Sequence, residues 1–183
     1  MAGSEILDMI VDEAVQIYGG MGYSAEYPIE AAYRNSRINR IFEGTNEINR
    51  LLIVEMLARR ALKGKLNIMP AIQKAQDTLF SADFTSPSDF LEIIRTMKSM
   101  VLLNSGLAFQ KFGQNLRNEE EVVMNLADMI IQVYLLESAC LAHKKMKKKN
   151  INLPVGDEIL TILLSKAIEV FNECIQENAS YFM

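Results

Sequence analysis

A single carboxylate, Glu43, stands in Ile41-Phe-Glu-Gly-Thr-Asn-Glu-Ile-Asn-Arg50, between an apolar approach (Ile38, Ile41, Phe42) and Gly44, which leads straight into a helix. That layout can hold one carboxylate at the edge of an apolar pocket, where burial disfavours the charged form and makes a general base. Gly44 permits unusual dihedrals and leaves room beside the carboxylate. A helix starting at Thr45 points free N–H groups and a partial positive charge back towards the same spot, which suits a phosphate or an oxyanion. A base beside such a dipole suits proton abstraction next to a carbonyl. The plain alternative is an ordinary capped helix start with a solvent-facing glutamate.

A second motif, Gln16-Ile-Tyr-Gly-Gly-Met-Gly-Tyr23, lies upstream. Glycines at a helix end let another backbone or an anionic ligand approach closely. No strand precedes them, so this is not a dinucleotide fingerprint. The plain alternative here is a helix C-cap and turn.

The elements that must position these motifs read as all-α. Strand alternation is scarce, and only four prolines and nine glycines punctuate the chain. The first helix is expected over 4–18, with Ile6, Ile10, Ala14 and Ile17 as its apolar stripe and Met9 beside it. Pro28 opens a short helix to about Asn35. A helix over 45–63 follows, which Thr45 or Asn46 can cap. Its middle, Leu51-Leu52-Ile53-Val54 then Met56-Leu57, is apolar nearly all round and predicts a buried central helix.

A joint is expected at 64–67, then a helix over 69–80 and three long ones. The first of these starts at Ser86-Pro87, runs to about Phe112, and stripes Phe90, Ile94, Met97, Val101 and Ala108. The second starts at Asn118, with Glu119, Glu120 and Glu121 at the positive end of its dipole, and stripes Val122, Leu126, Met129, Val133 and Cys140. The last starts at Pro154 and stripes Leu160, Leu163, Ala167, Phe171 and Cys174. Each helix of about 25 residues is ~35–40 Å long, and short connections favour an up-and-down bundle.

The whole chain sets wider bounds. Its 183 residues, half of them hydrophobic, can bury a real core. Net charge is −4 and the pI is near 5.2, so nothing global suggests nucleic acid. Cys140 and Cys174 fall in apolar helical patterns and read as reduced core thiols. There is no uncharged apolar run long enough to cross a membrane. A reducing, soluble compartment is expected: the cytoplasm of a bacterium or the mitochondrion of a eukaryote. Met1-Ala-Gly-Ser-Glu-Ile enters helical periodicity at once, as though a longer helix had been cut, so the chain reads as a fragment.

Taken together, the glycine turn and Tyr33-Arg-Asn-Ser-Arg-Ile-Asn-Arg-Ile-Phe-Glu-Gly-Thr-Asn-Glu-Ile-Asn-Arg50 closely resemble the C-terminal domain of the acyl-CoA dehydrogenases. The match is dense over about 4–60. Residues 65–183 resemble the extra C-terminal helical region of the very-long-chain branch, so the expected domains are 1–64 and 65–183. The resemblance implies FAD-dependent introduction of a double bond between Cα and Cβ of an acyl-CoA thioester in fatty-acid β-oxidation. It implies that Glu43 removes the α proton, that its backbone N–H helps bind the thioester carbonyl, and that Gly44 lies against the substrate. It also implies that Thr45, Asn46 and Glu47 contact FAD near its phosphates and ribityl chain. Glu47 departs in charge from relatives with an amide there. Gln16, Gly19 and Gly20 are implied to touch the adenosine half of FAD from a neighbouring subunit, which makes homo-oligomerisation part of the site. Electron-transferring flavoprotein is the implied acceptor. The family's middle β domain, which holds the flavin ring, has no counterpart here. The isolated chain is therefore expected to bind FAD poorly and to lack activity.

Other residues attract less chemistry. His143, the one histidine, has no acid or cysteine cluster at ligand spacing and reads as solvated or dipole-facing, with no metal. The lysines over 144–149 end a helix, or else meet an anionic surface such as a membrane. Arg34, Arg37 and Arg40 recur every three residues, as subunit-interface ion pairs or a solvated face. The eleven methionines read as core filler. A reading from a different class makes the chain a stand-alone helical oligomerisation or membrane-docking module without catalysis.

Overall fold

The computed structural model describes residues 1–81, 89–151 and 156–183. The expected helix starts at Ser86-Pro87 and Pro154 lie outside the described residues. In chain order the helices are α1 (Ala2–Tyr18), α2 (Gly20–Tyr23), α3 (Pro28–Ile38), α4 (Asn46–Leu62), α5 (Ile68–Leu79), α6 (Phe90–Phe112), a 3₁₀ segment (Gly113–Asn118), α7 (Glu120–Lys148) and α8 (Gly156–Phe182). The described residues contain no strand, and the all-α class stands. The chain forms two compact units, Met1–Leu52 and Ile53–Met183, with the boundary inside α4.

In the second unit, α7 packs against both α6 and α8, and α6 also packs against α5. The core is built from three stripes: Ile94 and Met97 of α6; Met129, Val133, Leu136 and Cys140 of α7; Leu160, Ala167, Phe171 and Cys174 of α8. Of the other expected stripe residues, Phe90, Val101 and Leu163 are partly buried against this core and Ala108, Val122 and Leu126 are buried outside it, while Leu136 was not expected. Polar contacts at both ends fix the directions. At the C-terminal end of α7, Lys147 and His143 reach Asp157 of α8 at 3.0 and 2.9 Å. At its N-terminal end, Asn125 donates to Glu177 and Asn178 (3.0 and 3.1 Å), and Tyr181 donates to Glu121. The two helices are therefore antiparallel. Lys98 pairs with Glu137 at 2.5 Å, and the charge of Lys144 bears on Asp89, so α6 and α7 are antiparallel too. Gly106 lets α6 approach α5 closely, since a Cβ there would stand 3.0 Å from Ile72.

Local chemistry sets the ends. Asp89 caps α6 by accepting from the Glu92 N–H at 2.9 Å. At the expected start of α7, Gly113–Asn118 instead form the 3₁₀ segment, because Gly113 takes a left-handed φ of 55° and ends α6. His143 is not solvated; its side chain is largely covered and bonded to Asp157. Both cysteines are free and buried. Burial pushes the Cys174 thiol up to about 12. One described helix, α7, is long and apolar enough to cross a membrane by length and composition. Its buried residues (Val122, Val123, Leu126, Ala127, Met129 and others) are those of a bundle's core helix.

The first unit departs from expectation in burial. Ile6, Met9, Ile10 and Ile17 of the α1 stripe are exposed, and Val11 is the buried residue of that helix. Along α4 only Asn46 is buried, while Leu52 and Met56 are exposed and Leu51, Ile53, Val54 and Leu57 half-buried. A helix apolar on all sides needs partners on all sides, and the described residues do not cover these. Large exposed apolar faces of this kind mark surfaces on which another body packs. The helix expected to end at Asn35 continues one turn to Ile38, because Ser36 satisfies its hydroxyl on the Tyr33 carbonyl (2.8 Å) and is itself buried.

The core stripes predict a contrast. Leu136→Ala, at a site 1% exposed, should lower unfolding free energy by about 2–5 kcal/mol. Leu107→Ala, at an exposed site, should cost under about 1 kcal/mol. Urea denaturation followed by circular dichroism measures both.

Candidate active site

The glycine turn closes α1. Gly19 takes a left-handed φ of 59° and its N–H returns to the Gln16 carbonyl at 3.2 Å. Gly22 fills the one position where a side chain cannot fit: a Cβ there would meet the Val15 carbonyl oxygen at 2.8 Å and Tyr18 at 2.9 Å. Tyr18 and Tyr27 close the turn edge to face, with ring centroids 6.4 Å apart. Gln16, Gly19 and Gly20 all lie on the surface. Nothing stands within 4 Å of a Cβ built at Gly19 or Gly20, so the open backbone leaves room for a ligand or a neighbouring chain.

The second motif forms a loop whose two feet are joined. The Asn46 N–H donates to the Arg40 carbonyl at 3.2 Å. At the apex, Glu43 and Gly44 take consecutive left-handed conformations, φ 55° and 93°. That conformation is easy for glycine and costly for glutamate, of order 1–3 kcal/mol. The Glu43 side chain is exposed, and no hydrogen bond or ion pair engages it among the described residues. Ile38, Ile41 and Phe42 are also exposed, Phe42 at 51%. The described residues therefore do not enclose Glu43 in the expected apolar pocket.

Beyond the apex the chain enters α4. The Thr45 hydroxyl caps it, accepting from the Ile48 N–H at 3.3 Å. The Glu47 carboxyl sits on its own N–H and on the Thr45 hydroxyl, and those bonds hold it below the usual carboxylate range. An internal carboxylate thus already occupies the positive end of α4. Asn46 is buried at 2%. Its amide donates to Ser4 (3.1 Å) and Glu5 (3.2 Å) of α1, so the side chain is spent inside the fold.

Three further residues hold this loop, and spacing marks only Arg40 among them. Arg50 pairs with both oxygens of Glu5 at 2.7 and 3.1 Å. Arg40 bonds Asp8 at 2.6 Å; that bond, and after it the charges of Asp8, Glu5 and Glu47, raise its pKa. Asn49 donates to the Gly44 carbonyl at 2.7 Å. Of the three periodic arginines, Arg40 makes this tie, Arg34 pairs along its own helix with Glu30 (2.9 Å), and Arg37 is exposed without an ion pair among the described residues. The partial signal in the sequence was the Glu5–Asp8 spacing on α1, which puts two acids on one helix face.

Two measurements test this reading. Gly44→Ala should cost about 1–3 kcal/mol of stability through its dihedral angle, since its new Cβ would meet Asn49 at an ordinary 3.5 Å. Thr45→Ala should cost about 1 kcal/mol as a lost cap and let the Glu47 pKa rise towards its ordinary value. Because the folded Glu47 pKa lies below that value, its contribution is present above the ordinary value and lost as pH falls through the folded one. Thr45→Ala should therefore weaken the acid dependence of stability, read by carbon NMR titration of Glu47 with melts at each pH.

Two sequence models described as "Acyl-CoA dehydrogenase, C-terminal domain" match residues 1–58 and 96–182. A probable acyl-CoA dehydrogenase of Bacillus subtilis is 47% identical over 148 residues, covering 78% of this chain and 25% of that protein. The human mitochondrial short-chain specific acyl-CoA dehydrogenase is 51% identical over 59 residues, 32% of this chain and 14% of that protein. A crystal structure of an acyl-CoA dehydrogenase complexed with FAD from Bacillus anthracis superposes with a TM-score of 0.89 at 37% identity, over 99% of this chain and 31% of that one. The chain thus spans a quarter or less of the length of these curated relatives. The chain belongs to the acyl-CoA dehydrogenase family, and both matched stretches are C-terminal-domain sequence of that family.

Proposed function

We propose that this chain is the C-terminal segment of an FAD-dependent acyl-CoA dehydrogenase acting on acyl-CoA thioesters in fatty-acid β-oxidation, with Glu43 as its base. The observation that carries the proposal is the apex of the loop. Glu43 adopts a conformation unfavourable for its side chain and engages that side chain with nothing among the described residues. Strain of this kind persists where the exposed group has work to do. The Glu43 carboxylate removes the proton at Cα of the thioester. The C–H electron pair becomes the new bond to Cβ, from which hydrogen leaves with its own pair. The Glu43 backbone N–H binds the thioester carbonyl and makes the α proton more acidic. Gly44, lacking a side chain, lets the acyl group lie against the loop. FAD, when bound, supplies the acceptor for the hydrogen leaving Cβ.

The residues present fit hydroxyl and amide contacts to FAD better than a bare phosphate. Thr45 and Glu47 offer a hydroxyl and a carboxylate at the head of α4, suited to the ribityl chain. Asn46 serves by fixing where that helix starts. Gln16 offers an exposed side-chain amide and Gly19 and Gly20 open space beside their backbone, suited to the adenosine half from a second copy of the enzyme. The proposal extends to a homo-oligomer in the cytoplasm of a bacterium or the mitochondrion of a eukaryote. It takes electron-transferring flavoprotein as acceptor and treats residues 65–183 as the extension of the very-long-chain branch. The isolated chain lacks the flavin-holding half and stays inactive.

In the full-length enzyme, Glu43→Gln should lower kcat by about 10²–10⁴-fold while FAD absorbance and acyl-CoA binding persist. Turnover within a few-fold of wild type would rule Glu43 out as the base.

A further inference from the structure

Resting on Glu43 as the base, we propose that Arg40 is a positioning residue for it, acting through its ion pair with Asp8. The loop that carries Glu43 has two feet. The far foot is held four ways: Asn46 bonds Ser4 and Glu5, Arg50 grips Glu5 with both nitrogens, and Asn49 holds the Gly44 carbonyl. On the near side, Asp8 of α1 is the shared anchor: Arg40 bonds it at 2.6 Å and Ser36, one turn back in α3, at 3.4 Å, so Arg40 is the tie next to the loop itself. Arg40 and Asp8 are 32% and 21% exposed, and Arg40 Nε is buried without a partner, so Asp8 is the guanidinium's anchor among the described residues.

Arg40 also supplies the carbonyl that receives the Asn46 N–H, the bond that closes the loop. One residue therefore sets both the lateral position of the near foot and the closure of the turn. Glu43 stands three residues on, in a conformation it would not adopt unaided. Cutting the Asp8 tie leaves α4 started and capped while freeing the apex to relax. A base so displaced still lets substrate bind, but it meets the α carbon in the wrong geometry.

The test uses the full-length enzyme. Arg40→Gln should lower kcat about 10- to 100-fold, with KM for the acyl-CoA changed less than about threefold and FAD content unchanged. Asp8→Asn, a near-isosteric change on the partner, should give the same loss and decides the matter if Arg40→Gln does not fold. Arg40→Lys, which keeps the charge and reach, should recover kcat to within about threefold of wild type. In a Glu43→Gln background, adding Arg40→Gln should change the residual rate no further, because the group being positioned is gone. If Glu43→Gln is inactive while Arg40→Gln and Asp8→Asn keep kcat within about twofold, the positioning role is overturned and the base stands. An equal loss from Arg40→Gln in both backgrounds would overturn it too, as damage unrelated to Glu43. If Glu43→Gln keeps its activity, the base assignment itself fails, a different result from either.

Discussion

The first unit depends on two carboxylates three residues apart on one face of α1. Glu5 holds Arg50 and Asn46, and Asp8 holds Arg40. Between them they gather both ends of a turn that local preference would not keep. Hydrogen bonds to charged groups are roughly twice as strong as neutral ones, and these are partly shielded from water. A loop tied by uncharged contacts alone would slip towards an ordinary turn, with Glu43 back in a relaxed conformation. The acids of α1 therefore govern the carboxylate of the loop without touching it.

How much of this was legible in the sequence differs between the two units. Most of the stripe residues of α6, α7 and α8 could be read, because each helix buries a face against its neighbours and apolar spacing records that face; Leu136, Val123, Ala127 and Ile131 of α7 were missed because that helix is covered on more than one side. Helix α1 failed the same test. Ile6, Ile10 and Ile17 keep helical spacing, yet they face outward. Periodicity reports that a face wants burial; it does not say which body buries it. Helix α4 makes the point again, since apolar residues all round it imply partners that the described residues do not contribute. In the candidate site, the order of glycine turn, glutamate and helix start was plain. The ties from Arg40, Asn46, Asn49 and Arg50 were not, because long-range ion pairs leave no periodic trace. The occupation of the α4 N-terminus by Glu47 was hidden for a different reason: it depends on one side-chain rotamer.

On the proposed role of Glu43 as a base, its exposure bears on how the site is completed. An open carboxylate is stabilised by water, and water must leave for it to take a proton from carbon. Ile38, Ile41 and Phe42, just before it in the chain, are apolar but exposed. The drying belongs to whatever covers them, substrate included. This divides the labour: the segment sets the position and backbone geometry of the carboxylate, and its covering partner sets the medium in which it reacts.

The two thiols of the bundle have a practical use. Thiolate, not thiol, reacts with alkylating reagents, and Cys174 stays protonated up to about 12 while it is packed. Cys140, on the facing helix, shares the same core. A thiol reagent in neutral solution therefore has little to attack until α7 and α8 part, and its rate of incorporation becomes a clock for the opening of the bundle. The protein thus carries two native probes of its own breathing, set into one core from opposite helices.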